Sequence, residues 1–242
     1  MKTLVAVGCS HTAGADIDGN PASYYNRQNC FAAQLANKLG YEYINVSANG
    51  ASNQFIHRKV IEYITNYMES PKEVFFLIGW TSSDRMELRY SENSNFEHNN
   101  LADLEDRKYF PFTSGTHKNL ILDDKMKKLN KFIDILFDYH LKENERATLA
   151  YSTQQILKSL EIPYFMFNSC NGIERTEYTG PILDKIDKTY YPEPEDESKA
   201  YFPYCRFTLG YNEFSEYWHH YKPAHDEYAI YLFNLLREKN LI

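Results

Sequence analysis

Leu4-Val5-Ala6-Val7-Gly8-Cys9-Ser10-His11-Thr12-Ala13-Gly14 is the stretch on which the reading of the fold turns. Four apolar residues run straight into a Gly-Cys-Ser turn. That is the pattern of a buried strand ending in a loop of small and hydroxyl-bearing residues. The N-terminal MKTLVAVGCS could be taken for a short signal peptide, but its apolar run is brief and enters a turn, so it reads better as a first strand. Moving outward, Phe31, Leu35 and Leu39 share one helical face and Gly40 closes that helix. Tyr43 to Val46 follows as a second strand. Phe55, Ile56, Val60, Ile61, Ile64 and Met68 then recur at helical spacing. Val74 to Ile78 is wholly apolar, as a central parallel strand is. The β-α-β-α-β order predicts an α/β protein: a three-layer α/β/α sandwich with a mostly parallel central sheet.

Beyond Trp80 the pattern weakens. From about 82 to 122 the chain is polar and Asn-rich, and this stretch is expected to be an irregular insertion. Helical spacing returns from Asp124 to about Tyr139 and from Glu145 to Leu160. Ile162 to Phe167 is a fourth strand. A second irregular insertion is expected at about 171–212, and a last helix from about Ala224 to Lys239. No repeat or linker marks a second domain, so the expectation is one domain over 1–242.

Composition narrows the classes of function. Hydrophobic residues are 43% and charged residues 24%, a globular balance. The net charge of −7, with no basic face, argues against a nucleic-acid partner. No apolar run reaches the ~18–20 residues of a membrane span. The 4 cysteines (Cys9, Cys30, Cys170 and Cys205) show no CxxC spacing, so reduced thiols in a cytoplasm are expected. The 21 tyrosines read as filling for the core and long loops.

Open parallel sheets hold ligands at the carboxyl ends of their strands. Three loops leave those ends early in the chain: Gly8 to Gly14, Ser47 to Asn53, and Gly79 to Arg85. Their glycines and hydroxyls suit an oxyanion-binding surface around Ser10. A serine nucleophile needs a base, and the base an orienting acid. Glu216-Tyr217-Trp218-His219-His220-Tyr221-Lys222-Pro223-Ala224-His225 offers both, with Glu216 three residues before His219. The same cluster could in principle supply metal ligands. However, no His-Glu-x-x-His signature is present, and no metal or other cofactor is expected. Cys9 as a thiol nucleophile is the weaker alternative to Ser10. Trp80, directly after the third strand, is a candidate wall of the substrate pocket.

These residues resemble the SGNH/GDSL hydrolases, particularly a divergent branch of phage and bacterial genomes, over most of the chain in order and spacing. Gly8-Cys9-Ser10 stands where that family has Gly-Asp-Ser. Gly50, in Asn49-Gly50-Ala51-Ser52-Asn53, matches its oxyanion glycine. Glu216-x-x-His219 matches its Asp-x-x-His, and His225 lies where a second His often follows. The resemblance implies a flavodoxin-like hydrolase fold and a catalytic set of Ser10, His219 and Glu216, with Gly50, Thr81, Asn53 and Trp80 around the oxyanion and substrate. It also implies cleavage of a carboxylic ester, in a small molecule or an acylated carbohydrate. Three departures stand out: Thr81 replaces the family's oxyanion Asn, His220 its Pro, and Cys9 its Asp. They keep alive the alternative of a non-catalytic binding or virion-associated protein on the same fold. The expected location is the cytoplasm of a bacterium or phage-infected host.

Overall fold

In the computed structural model the first strand, β1 (Thr3–Val7), is flanked on both sides by parallel partners. The structure describes residues 2–19, 24–89, 109–113, 131 and 137–242. β2 (Glu42–Asn45) pairs in the register Thr3↔Glu42, and β3 (Val74–Trp80) in the register Thr3↔Val74. After β4 (Arg85–Arg89) and β5 (Tyr109–Thr113), β6 (Tyr164–Asn168) joins β3 with Phe76 opposite Tyr164. Among the described residues the main sheet therefore runs β2-β1-β3-β6, all parallel. The chain steps one way from β1 to β2 and the other way from β1 to β3. This reversal opens a crevice at the carboxyl ends of β1 and β3.

Side chains alternate across the pleat and build two cores. Val5, Val7, Phe76, Ile78 and Met166 face α4 (Asn53–Asn66) and α5 (Tyr139–Ser159), meeting Phe55, Ile56 and Val60 of the first and Ala150 and Leu157 of the second. Leu4, Ala6, Phe75, Leu77 and Phe165 face the other way, onto Phe31 and Leu35 of α3 (Phe31–Leu39), which follows the short α1 (Ser10–Ala13) and α2 (Tyr24–Asn29), and onto Tyr228 and Leu232 of the last helix, Lys222–Glu238. Each fully buried large apolar side chain contributes roughly 1.5–3 kcal/mol. The three-layer α/β/α architecture is thus the one the sequence predicts.

Local signals set the helix ends. Gly40 closes α3 in the left-handed region at φ 67, and its N–H reaches Ala36 and Asn37 carbonyls. Ser52 caps α4 by accepting from Phe55 N, and Asp138 caps α5 by accepting from Leu141 N.

Two expectations need correction. The 82–122 segment is not irregular throughout: β4 and β5 pair antiparallel, from Arg85↔Thr113 to Arg89↔Tyr109. Their partners lie far apart in sequence with no turn signal joining them, so neither run announces itself. Residues 90–108 and 114–122 of that segment, and most of the helix expected from Asp124, fall outside the described residues. The 171–212 segment also carries structure. It holds short helices at Gly180–Leu183 and Tyr201–Pro203, and a π turn at Tyr204–Thr208. It also covers the outer edge of β6: Met166 N donates to Tyr190 O at 2.8 Å, and Asn168 Nδ2 donates to Pro194 O at 2.8 Å. A strand edge left open would present unpaired backbone groups, and this cover satisfies them. No described helix is long and apolar enough to cross a membrane.

Candidate active site

Ser10 opens α1 (Ser10–Ala13), a single turn that follows β1 with Cys9 as its N-cap. Ala13 N donates to Cys9 O and Ala15 N to Ser10 O, both at 2.9 Å. Gly14 ends the turn at φ 80. A Cβ there would fall 2.6 Å from Cys30 Cβ and 2.7 Å from Asn26 O, so the close approach as well as the left-handed backbone requires glycine. Ser10 itself is nearly buried, at 3% exposure.

The chain then passes through Asp16, which adopts φ 61 without being glycine. Asp is among the few residues that tolerate this region, at some cost. The conformation turns its carboxylate inward. Asp16 Oδ2 accepts from His219 Nδ1 at 2.7 Å and from Ser215 Oγ at 2.7 Å. Burial would raise the Asp16 pKa. The hydrogen bonds from His219 and Ser215 and the nearby imidazole outweigh burial and hold it below the ordinary carboxylate value. An ionised carboxylate only accepts, so the proton on Nδ1 points at Asp16 and Nε2 keeps its lone pair when the ring is neutral.

Ser215 shapes the opposite side of this contact. Its Oγ accepts from Tyr217 N at 3.2 Å and His219 N at 3.3 Å while donating to Asp16. Ser215 N donates to His219 O at 2.8 Å, closing a tight turn in which Trp218 sits at φ 65. His219 is thereby delivered to the end of the sheet from 203 residues away. Its ring stands edge-on to that of His11, 5.2 Å between centroids.

The other histidines are committed elsewhere. His225 Nδ1 accepts from Phe31 N at 3.2 Å and its Nε2 meets Tyr201 Oη at 3.0 Å, tying the last helix to α3. His220 stacks on Phe202 and bonds its carbonyl at 3.3 Å; burial lowers its pKa to about 4. Burial lowers that of His11 to about 3. Of the histidines in this cluster, His219 alone combines a carboxylate partner with some solvent access.

The structure places the other sequence candidates differently. Glu216 does not orient His219: it is exposed, and the carboxylate bonded to His219 Nδ1 is that of Asp16. Thr81 is fully buried, its N–H donating to Asn53 Oδ1 at 3.0 Å and its hydroxyl lying 3.7 Å from Cys170 Sγ. Asn53 Nδ2 donates back to Thr81 O and Ser82 O at 3.2 and 3.3 Å. This Asn therefore clamps the loop after β3. Trp80 is fully buried in the core on the α4–α5 side of the sheet. Gly50 is half-buried at φ 74. No hydrogen bond joins Ser10 Oγ to His219 among the described residues. Unliganded sites commonly tighten only with substrate. Also among the described residues, no group of three or more His, Cys, Asp or Glu is placed to hold a metal.

Sequence reasoning missed Asp16 and Ser215. Both lie beside recognised motifs, yet the only available signal was an acidic residue just past a Gly-closed turn, and a nearer carboxylate, Glu216, competed for the role.

Fold and site together define an α/β protein with a Ser-bearing turn, a His-Asp couple and a reversed strand order meeting at one sheet edge. The chain belongs to the family described as "Family of unknown function (DUF6071)", whose profile matches residues 15–193. That match takes in Asp16 and stops short of Ser10 and His219. No curated protein matches the chain significantly. Similar solved structures include the psychrotrophic esterase EstA from Pseudoalteromonas sp., at 9% identity, 98% coverage of both chains and a TM-score of 0.46. A putative lipolytic protein of the G-D-S-L family from Desulfitobacterium hafniense is similar at 10% identity, covering 98% of this chain and 100% of that one, with a TM-score of 0.43. A carbohydrate esterase family 2 enzyme from Corynascus thermopiles (Myceliophthora fergusii), solved with its carbohydrate-binding domain, is similar at 13% identity, 99% and 67% coverage and a TM-score of 0.47.

Proposed function

We propose that this protein is a carboxylic-ester hydrolase in which Ser10 is the nucleophile, His219 the base and Asp16 the orienting acid. The observation that carries this reading is the 2.7 Å bond from His219 Nδ1 to a buried, ionised Asp16, made beside the turn that presents Ser10. That bond fixes the tautomer a general base needs. In the proposed cycle Ser10 Oγ attacks the acyl carbonyl as His219 Nε2 takes its proton. His219 returns the proton to the leaving alcohol. Water then releases the acyl group by the same route in reverse. The backbone N–H groups of Ser10 and Gly50 are the proposed oxyanion donors, since Thr81 N–H and the Asn53 amide are engaged with each other.

An acylated carbohydrate is the favoured substrate. Trp218, adjacent to His219, is 55% exposed, stacks on Phe214 at 4.9 Å and carries the Arg206 guanidinium over its ring at 5.8 Å. A rigid, exposed aromatic face beside the base suits a sugar ring. The test is fluorophosphonate labelling of the folded protein, followed by turnover of p-nitrophenyl acetate and of a panel of acetylated sugars. Labelling should fall on Ser10 and vanish with turnover in Ser10→Ala, whose folding should be unchanged. A folded wild type that neither labels nor turns over any ester would instead favour a binding protein that retains the fold.

A further inference from the structure

Arg206, beside the candidate site, lacks the kind of partner that other arginines of the chain have. It sits in the π turn Tyr204–Thr208, which Cys205 anchors in the core and Tyr204 anchors by stacking on Tyr231 at 4.3 Å. Its guanidinium carbon lies 5.0 Å from the ring centre of Phe207, 5.5 Å from that of Phe214 and 5.8 Å from that of Trp218. Arg58, Arg146 and Arg175 each meet a carboxylate; among the described residues none pairs with Arg206. Aromatic rings hold this half-buried cation instead, and its N–H groups, which lie in the guanidinium plane, are left for another acceptor. Phe214 and Trp218 belong to the turn that delivers His219: Phe214 bridges to His220, and Ser215 N donates to His219 O at 2.8 Å. Phe202, 6.1 Å from Trp218 and 5.7 Å from the His11 ring, continues the aromatic surface toward the turn that bears Ser10. Base and cation are therefore fixed to the same platform.

We propose that Arg206 binds a carboxylate on this platform, and that the substrate is an acylated sugar carrying one, of the uronic-acid kind. The acyl part of this assignment rests on the hydrolase reading of Ser10; the carboxylate subsite does not. With a net charge of −7 the protein as a whole repels anions, so their recognition has to be local. An aromatic face takes the apolar side of a sugar ring, and a guanidinium fork takes a carboxylate through two parallel bonds. The 5.8 Å between the Trp218 ring and the Arg206 guanidinium lets a single ligand use both. Because rings rather than a carboxylate hold Arg206, no ion pair has to break when the ligand arrives.

The test is calorimetric titration of Ser10→Ala, from which the proposed nucleophile is removed, with an O-acetylated methyl glucuronide and the matching O-acetylated methyl glucoside. The glucuronide should bind roughly tenfold more tightly, and high salt should narrow the margin. Arg206→Gln in the same background should abolish the margin. Arg206→Lys should restore part of it, since it returns the charge without the fork. Arg237→Gln removes a cation that also lies over a ring, that of Phe233 at 5.9 Å, but on the last helix; it should leave the margin intact. Equal affinity for the two sugars, binding of neither, or a margin that survives Arg206→Gln would overturn the proposal. A sulfated glucoside that binds more tightly than the glucuronide would overturn the carboxylate assignment. In the wild type, kcat/KM should show the same preference as binding. An Arg206-dependent margin in binding, with neither ester hydrolysed by the wild type, would uphold the carboxylate subsite and refute the Ser10 reading.

Discussion

At the residue scale, the site depends on which carboxylate faces His219. Asp16→Asn keeps the shape but removes the charge and lets the imidazole take the wrong tautomer. It should lower kcat on the order of 10³–10⁴-fold with little change in KM. Glu216→Gln, in solvent beside Tyr217, should leave both parameters within about twofold of wild type. Steady-state kinetics on one ester compares the two directly; the reverse ranking would return the role to Glu216. Thr81→Asn should not improve turnover, because residue 81 is fully buried, its N–H is bonded to Asn53 and its hydroxyl faces Cys170.

At the scale of elements, the ends of β1, β3 and β6 are held together by tight contacts and one buried ion network. Gly79 packs against its neighbours so closely that a Cβ would lie 2.5 Å from Thr12 Oγ1 and 2.7 Å from Phe167 Cζ. Gly79→Ala should cost about 1–3 kcal/mol through overpacking, read as a lower urea midpoint at unchanged slope. Arg146 and Glu143 are both fully buried on α5. Arg146 Nη2 donates to Asn168 Oδ1 and Asn171 O at 2.7 Å, while Glu143 accepts from Ser83 Oγ at 2.5 Å and Glu174 N at 3.0 Å. Together they staple α5 to the loops after β3 and β6. Arg146→Ala strands the Glu143 charge and should cost about 3–5 kcal/mol. A loss below about 1 kcal/mol would mean that water replaces the guanidinium.

For the whole molecule, three neutral histidines make acid the natural denaturant. Burial lowers the pKa of His11 to about 3 and of His220 to about 4, and holds His225 well below its ordinary value. An unfolded histidine titrates near 6.5, so below that pH the unfolded chain binds more protons than the folded one. Stability should be full above about pH 6.5. It should then fall by up to ~1.4 kcal/mol per pH unit for each histidine until the folded-state pKa is reached. Asp16 acts in the same direction but only lower, its contribution being lost as pH falls below the ordinary carboxylate range. Urea midpoints at pH 7.5 and 5.5 should differ clearly; equal midpoints would mean that these rings are protonated in the folded state.

The sequence by itself determined the sheet, the helices on its two faces and the placement of Ser10. Those follow from hydrophobic period and from glycine, which act over a few residues and leave a local trace. Leu4 to Val7 and Val74 to Ile78 could only be buried strands, and Gly40 could only close a helix. The family resemblance, with His225 standing where a second His often follows, is what favoured His219 over its neighbour. Only the tertiary structure decided what His219 meets. Asp16 is 203 residues distant and reaches the ring through a left-handed backbone and a turn ordered by Ser215. It also decided that Trp80 belongs to the core and that Asn53 clamps a loop. Such pairings depend on the distance between chain ends in space, and local periodicity carries no record of that distance.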